Sequence, residues 1–202
     1  MIGVDFDNTI VCCDDVFYVE ASNRGLLAPD IPNSKEKVRN YLRACGKETA
    51  WTELQGYVYG VLVRQAAAFP GVKEFFLGCL RRGLRIAIIS HKTRHPVLGP
   101  PYDLHGAAHE SLKRNGFYDP DGIGMTPADV FFEPSKEDKL KRIAHVGCTH
   151  FIDDLPEFLT DPRFPERVEK ILFDPNSYHS ECDQYRRTTS WVEIGQCVIG
   201  RS

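Results

Sequence analysis

The amino-acid sequence predicts an α/β fold: a parallel sheet of about five strands with helices on both faces, plus a small helical cap. Three observations lead to it. Short apolar runs recur along the chain without polar alternation, as expected of strands covered on both faces. Helical patterns lie between those runs, and strand–helix alternation is the mark of parallel pairing. The first two runs are separated by a stretch too long for one crossover helix, and that stretch carries helical patterns of its own.

The first run, Ile2-Gly3-Val4-Asp5-Phe6-Asp7, predicts a strand at the start of the chain. Helical patterns follow at 34–45 and 48–68. Pro29, Pro32 and Asn33 mark turns before the first of these, and Ser34 is placed to cap it, with Glu36 in its first turn. Phe69-Pro70-Gly71 punctuates the return to the sheet. Residues 14–69 are therefore expected to form the cap, and residues 1–13 and 70–202 the α/β core. In that core, helical patterns at 72–82, 104–115 and 136–145 separate further strands at 84–90, 129–132, 149–152 and 170–173. Asp103 is placed to cap the middle helix. The Pro-rich stretch 96–101 and the tract 119–127 read as ordered loops.

Composition narrows the function. Of 202 residues, 42% are hydrophobic and 26% charged, close to the globular average and unlike a disordered or fibrous chain. Lys and Arg total 25 against 28 Asp and Glu, a formal charge of −3, so no bulk positive charge points to nucleic acid. No apolar run approaches the ~18 residues of a membrane span. Asp5 and Asp7 stand where a signal peptide would carry Lys or Arg. A cytoplasmic protein without a membrane partner is the expectation. The seven cysteines are odd in number and include no CxxC pair, which fits reduced thiols, mostly small buried hydrophobes.

Three of the expected strands end in reactive side chains: Asp5-Phe6-Asp7-Asn8-Thr9, Ser90-His91-Lys92-Thr93 and Asp153-Asp154. In an open parallel sheet, ligands bind outside the carboxyl ends of the strands, where the strand order reverses. A lone DxD is common at turns and solvated edges, and adjacent acids are more often helix N-terminal charges. Their coincidence at several strand ends carries the weight. Asp5, Asp7, Asp153 and Asp154 form a carboxylate cluster without an equal number of fixed cations in those motifs, which is costly unless a divalent cation occupies it. All-oxygen ligands suit Mg²⁺ better than zinc. The pairs His91/His95 and His105/His109 have the i,i+4 spacing of a helical metal site. Pro96 places the first pair in a loop, and the second lacks a glutamate after its first histidine. Trp51, Tyr57, Tyr59 and Phe69, with Gly56 and Gly60, read as an aromatic core or as a lid that stacks on a base or sugar ring; the core is the more ordinary reading.

On these residues the chain resembles the haloacid dehalogenase-like hydrolase superfamily. Asp5-Phe6-Asp7-Asn8-Thr9 after an apolar strand is similar to that family's first motif, and Ser90 after the strand over 86–89 to its second. Lys136, opening Lys136-Glu137-Asp138-Lys139-Leu140, is similar to the third, and Phe151-Ile152-Asp153-Asp154 to the fourth. Order and spacing agree over residues 1–175, with Pro70-Gly71 where the core resumes after a cap.

The resemblance implies a Rossmann-like core and a phosphomonoesterase working through an aspartyl-phosphate. Asp5 would be the nucleophile and Asp7 the general acid and base. Ser90 would hydrogen-bond a phosphoryl oxygen, and Lys136 would be the neutralising cation. Lys139, one turn further on, competes for that last role; Lys136 is preferred because it opens the helix and leads Leu140. Asp5, the backbone carbonyl of Asp7, Asp153 and Asp154 would hold Mg²⁺. Members that stop at a halide or a stable acyl phosphate lack the second aspartate, so Asp7 favours a phosphatase. Asn8, Thr9, His91 and Lys92 are the expected substrate contacts; apart from the resemblance, the basic loop Ser90-His91-Lys92-Thr93-Arg94-His95 reads either as a solvated loop or as a site for a second anionic group on the substrate. A helical cap after the first strand implies a small soluble phosphate ester, a nucleotide or a sugar phosphate. A polynucleotide end phosphatase would carry the same motifs, but the charge of −3 counts against it. A non-catalytic protein keeping the fold would be expected to lose a carboxylate or the lysine, and all are retained.

Overall fold

Branched and aromatic residues concentrate in the short apolar runs, and the runs become strands with buried side chains on both faces. In the computed structural model, which describes residues 1–200, six strands form one sheet. They are β1 (Ile2–Val4), β2 (Ile86–His91), β3 (Val130–Glu133), β4 (His150–Asp153), β5 (Glu169–Phe173) and β6 (Arg186–Thr188). Their order is β3-β2-β1-β4-β5-β6, and every pairing is parallel. The helices are α1 (Asp14–Asn23), α2 (Lys35–Ala44), α3 (Glu48–Tyr57), α4 (Val72–Arg81), α5 (Leu104–Arg114), α6 (Lys136–His145), α7 (Pro156–Leu159) and α8 (Trp191–Val198). The fold is the α/β class expected, a Rossmann-like parallel sheet with helices on both faces. The count of about five strands is corrected to six. Arg186-Arg187-Thr188 offers no apolar run to find; it is held by pairing with β5 and by Arg187, whose guanidinium lies 2.8 Å from Asp174.

The chain divides into two compact units. One comprises Met1–Val11, Ala68–Lys92 and the chain from Gly116 onward, and the other comprises Cys12–Ala67 and Thr93–Asn115. Residues 93–115, expected with the core, thus pack with the helical unit. Polar contacts anchor them there: Asn115 donates to the Ala66 carbonyl at 3.2 Å, and Arg64 pairs with Glu110 at 3.3 Å. Phe69, expected in the cap, belongs to the sheet unit, edge-on to Phe173 at 4.8 Å.

Within the helical unit, Phe17 stacks on Trp51 at 5.1 Å and Tyr59 meets Phe17 edge-on at 5.3 Å, which makes these aromatics a core. The helix expected over 48–68 keeps α geometry only to Tyr57, then widens into a π-type turn (Val58–Leu62) and closes in a 3-10 turn (Val63–Gln65). Asp103 caps α5 by accepting from the Gly106 N–H at 3.1 Å. Ser34 stands at the N-cap of α2 without capping it through its side chain; Asp14 instead accepts the Lys35 N–H at 2.9 Å.

In the sheet unit, strand parity sorts the core. Ala87, Gly3 and Phe151 are register partners across β2, β1 and β4. Ala87 and Phe151 pack with Ile89, Leu140, Ile143, Phe158 and Leu172 in the layer under α6 and α7. A Cβ on Gly3 would lie 2.5 Å from the Phe151 ring, so only glycine leaves room for that ring across the central strand. A second aromatic layer joins Phe75, Phe173 and Trp191, with Trp191 centred 5.1 Å from Phe75 and 5.6 Å from Phe173. Among the described residues no cysteine is paired in a disulfide, and no helix is long and apolar enough to cross a membrane.

Gly3→Ala forces overpacking under the Phe151 ring, which typically costs about 2 kcal/mol. At about 3 °C per kcal/mol for a chain of this size, the melting temperature is expected to fall by about 6 °C. A thermal melt checks this; an unchanged transition would show that the ring does not rest on β1.

Candidate active site

β1 ends at Val4, short of the strand expected over 2–7, and the first motif lies where the chain leaves the sheet. Asp5 extends the pairing by one bond, its N–H donating to the Ile152 carbonyl at 2.9 Å. A tight loop follows. The N–H groups of Ile10 and Val11 donate to the Phe6 carbonyl at 3.0 and 3.3 Å, and that of Asn8 to the Val11 carbonyl at 2.9 Å. Asn8 has φ 62°, a left-handed conformation that asparagine tolerates better than most residues. Thr9 is buried, and its carbonyl accepts from the Trp191 indole at 3.2 Å.

Register sets the centre of the site. Ile2, Gly3 and Val4 pair with His150, Phe151 and Ile152. One step further, Asp5 stands beside Asp153, on the sheet face of Gly3 and Phe151. Two buried carboxylates at neighbouring-strand spacing would repel strongly without a cation. Lys139 of α6 supplies it: its Nζ is 2.6 Å from Asp5 Oδ1 and 2.6 Å from Asp153 Oδ2. Burial alone would lower the lysine's pKa, but the two carboxylates outweigh it and hold the ammonium above the ordinary lysine range. Burial pushes Asp153 up to about 6 against the pull of Lys139, and its Oδ1 accepts the Leu155 N–H at 2.9 Å. The rings of Phe158 and Phe151 flank the ammonium, with centroids at 4.2 and 5.2 Å.

Lys139, not Lys136, therefore occupies the position between the carboxylates, and the preference for Lys136 is corrected. Lys136 is exposed. The reason is side-chain direction. Ser135 caps α6, accepting from the Asp138 N–H at 3.0 Å, so Lys136 is the first helical residue. Helical side chains lean back toward the N-terminus, so Lys136 extends past the helix start, while Lys139 covers the turn that faces the strand ends.

Ser90 is buried near the end of β2, the strand beside β1. His91 is exposed at the end of that strand. Lys92 is not displayed in a solvated loop. It is buried, and its Nζ lies 2.7 Å from Asp7 Oδ2. The four aspartates thus have two buried lysines among them, where the motifs suggested no matching cations, and the formal surplus is two negative charges. Among the described residues, Asp5, Asp153 and Asp154 bring carboxylate oxygens within 4.8 Å of one another. A hard divalent cation with ligand distances of about 2.0–2.6 Å spans such a set, and its charge matches the surplus. The residues fit such an ion. The Asp7 carboxylate stands outside that trio.

No protein-family model matches the chain, and no curated protein is similar to it in sequence. Solved structures are similar in fold. A HAD-family hydrolase from Deinococcus radiodurans with bound phosphate and sodium superposes with a TM-score of 0.59 at 15% identity, over 98% of this chain and 93% of that one. A HAD hydrolase of family IA, variant 3, from Entamoeba histolytica gives 0.59 at 10% identity, over 96% and 94%. A variant of CbbY from Rhodobacter sphaeroides, in complex with xylulose-(1,5)bisphosphate, gives 0.51 at 14% identity, over 96% and 95%. The fold is that of the haloacid dehalogenase-like hydrolases.

Removing the buried ammonium leaves uncompensated buried carboxylates, a loss of about 3–5 kcal/mol. Lys139→Met is therefore expected to lower the melting temperature by about 10 °C. Lys136→Met, at an exposed position, should shift it by no more than about 2 °C. Equal shifts in the two variants would reinstate Lys136.

Proposed function

We propose that the protein is a divalent-metal-dependent phosphomonoesterase acting on a small soluble phosphate ester through an aspartyl-phosphate, with Mg²⁺ as the natural ion. One observation carries the reading: Asp5 and Asp153 stand side by side under Lys139, with Asp7 two residues on from Asp5. The bound phosphate of the Deinococcus hydrolase and the sugar bisphosphate of CbbY, both on this fold, support a phosphate ester as substrate. Asp7 supports a phosphatase over a dehalogenase, because displacement at carbon needs no acid for its leaving halide, whereas an alkoxide does.

The chemistry follows from these residues. A carboxylate oxygen of Asp5 attacks phosphorus, the ester P–O bond breaks, and the departing oxygen takes a proton from Asp7. A water then attacks the phosphorus of the aspartyl-phosphate and gives its proton to Asp7. The acyl P–O bond breaks, which releases phosphate and restores Asp5. Lys139 holds Asp5 in line and offsets charge as it develops on the phosphoryl group. Ser90 is placed to donate to a phosphoryl oxygen. Held by Asp5, Asp153 and Asp154, the cation would neutralise phosphoryl charge and fix its orientation. Asn8, Thr9 and His91 line the same strand ends and are proposed to border the substrate.

Asp5→Asn keeps size and removes the nucleophile, so turnover should fall by about three orders of magnitude or more. Phosphate release from 4-nitrophenyl phosphate and from a panel of sugar phosphates and nucleotides measures it. Chelation of divalent ions should abolish release in the wild type, and Mg²⁺ should restore it. Near-wild-type turnover by Asp5→Asn, or full activity in excess chelator, would overturn the mechanism.

A further inference from the structure

Lys92 is the one buried cation of the site that the mechanism above leaves without a role. Its backbone is rigidly placed: the N–H donates to the Glu133 carbonyl at 2.8 Å and prolongs the β2–β3 pairing by one residue. Its side chain is 3% exposed, passes the Phe6 ring with Nζ 5.6 Å from the centroid, and ends 2.7 Å from Asp7 Oδ2. The other oxygen of that carboxylate, Oδ1, is buried and has no hydrogen-bond partner among the described residues. A buried acceptor without a partner is costly, and a docked hydroxyl or water, either of which can donate to it, would relieve that cost. The two oxygens of a free carboxylate are interchangeable; here one is held by an ammonium and the other is left open.

We infer that Lys92 is a positioning residue for Asp7. By donating to Oδ2 from the rigid end of β2, it fixes the rotation of the carboxylate, so that Oδ1 is the oxygen that passes its proton to the leaving oxygen and takes one back from water. This inference rests on the phosphatase reading and deepens it. It also replaces the expected role of Lys92, recognition of a second anionic group on the substrate: an ammonium this buried, and committed to Asp7, is not displayed to bind one.

The two roles differ in what they do to kinetics. If Lys92 acts through Asp7, Lys92→Met should lower kcat about 10²-fold on an alkyl phosphate, whose leaving oxygen needs a proton, with KM within about threefold. On 4-nitrophenyl phosphate, whose leaving group needs little protonation, the loss should be within about fivefold. Adding Lys92→Met to Asp7→Asn should cost nothing further on the alkyl ester. Equal losses on both esters, a raised KM with kcat retained, or additive losses in the double variant would overturn the inference.

Should Lys92→Met fail to fold, the double variant removes both members of the pair and is expected to fold, since loss of both charges is far milder than loss of one. Its comparison with Asp7→Asn alone then decides the matter. Stability gives a readout independent of turnover: the melting temperature lost in Lys92→Met should be regained in the double variant. A wild type that releases no phosphate from either ester overturns the phosphatase reading and the proton-transfer role with it. A wild type that is active, with Lys92→Met losses independent of the leaving group, overturns the role of Lys92 alone.

Discussion

Two carboxylates in register on adjacent parallel strands, with one ammonium between them, are the constraint around which the sheet unit is arranged. Asp5 and Asp153 are abreast because β1 and β4 pair residue for residue. Lys139 can reach both only if α6 begins where it does, which the Ser135 cap secures. The ammonium also needs a floor, and the Phe151 and Phe158 rings supply one. Phe151 in turn lies across β1 because position 3 has no side chain. Packing, capping and charge converge on one Nζ atom.

Much of this was legible in the sequence, for identifiable reasons. Strand ends could be found because apolar runs stop abruptly at acids, and parallel topology then brings strand ends together. Asp5, Asp7, Ser90, Asp153 and Asp154 were all found that way. Lys139 stands there only as the second choice, because Lys136 and Lys139 share a helix face by spacing and differ only in which way their side chains lean. Ser135 and Asp138, three apart as a capping pair, were the available signal for the helix start. β6 was hidden by its polar composition, and the allegiance of 93–115 by the absence of any composition break at Lys92.

The side chains of the site balance its charge differently from its motifs. Read as motifs, four aspartates demand an external cation on electrostatic grounds alone. Two buried lysines halve that demand and divide the aspartates into two kinds. Asp5 and Asp153 share an ammonium and keep oxygens near Asp154, whereas Asp7 has an ammonium of its own. Carboxylates of one chemical type are thereby given separate surroundings, the usual route by which one site assigns different tasks to identical groups.

The sequence separations within the central ion triad bear on how the chain assembles. Lys139 is 14 residues from Asp153 but 134 from Asp5. Closing the shorter loop costs about 2 kcal/mol less conformational entropy than closing the longer one. α6 and β4 can therefore come together early as a local hairpin-like unit that already carries a neutral ion pair. In that order β1 would bring its carboxylate against an ammonium already in place rather than against a bare anion. The repulsion between Asp5 and Asp153 is then offset before the two carboxylates meet.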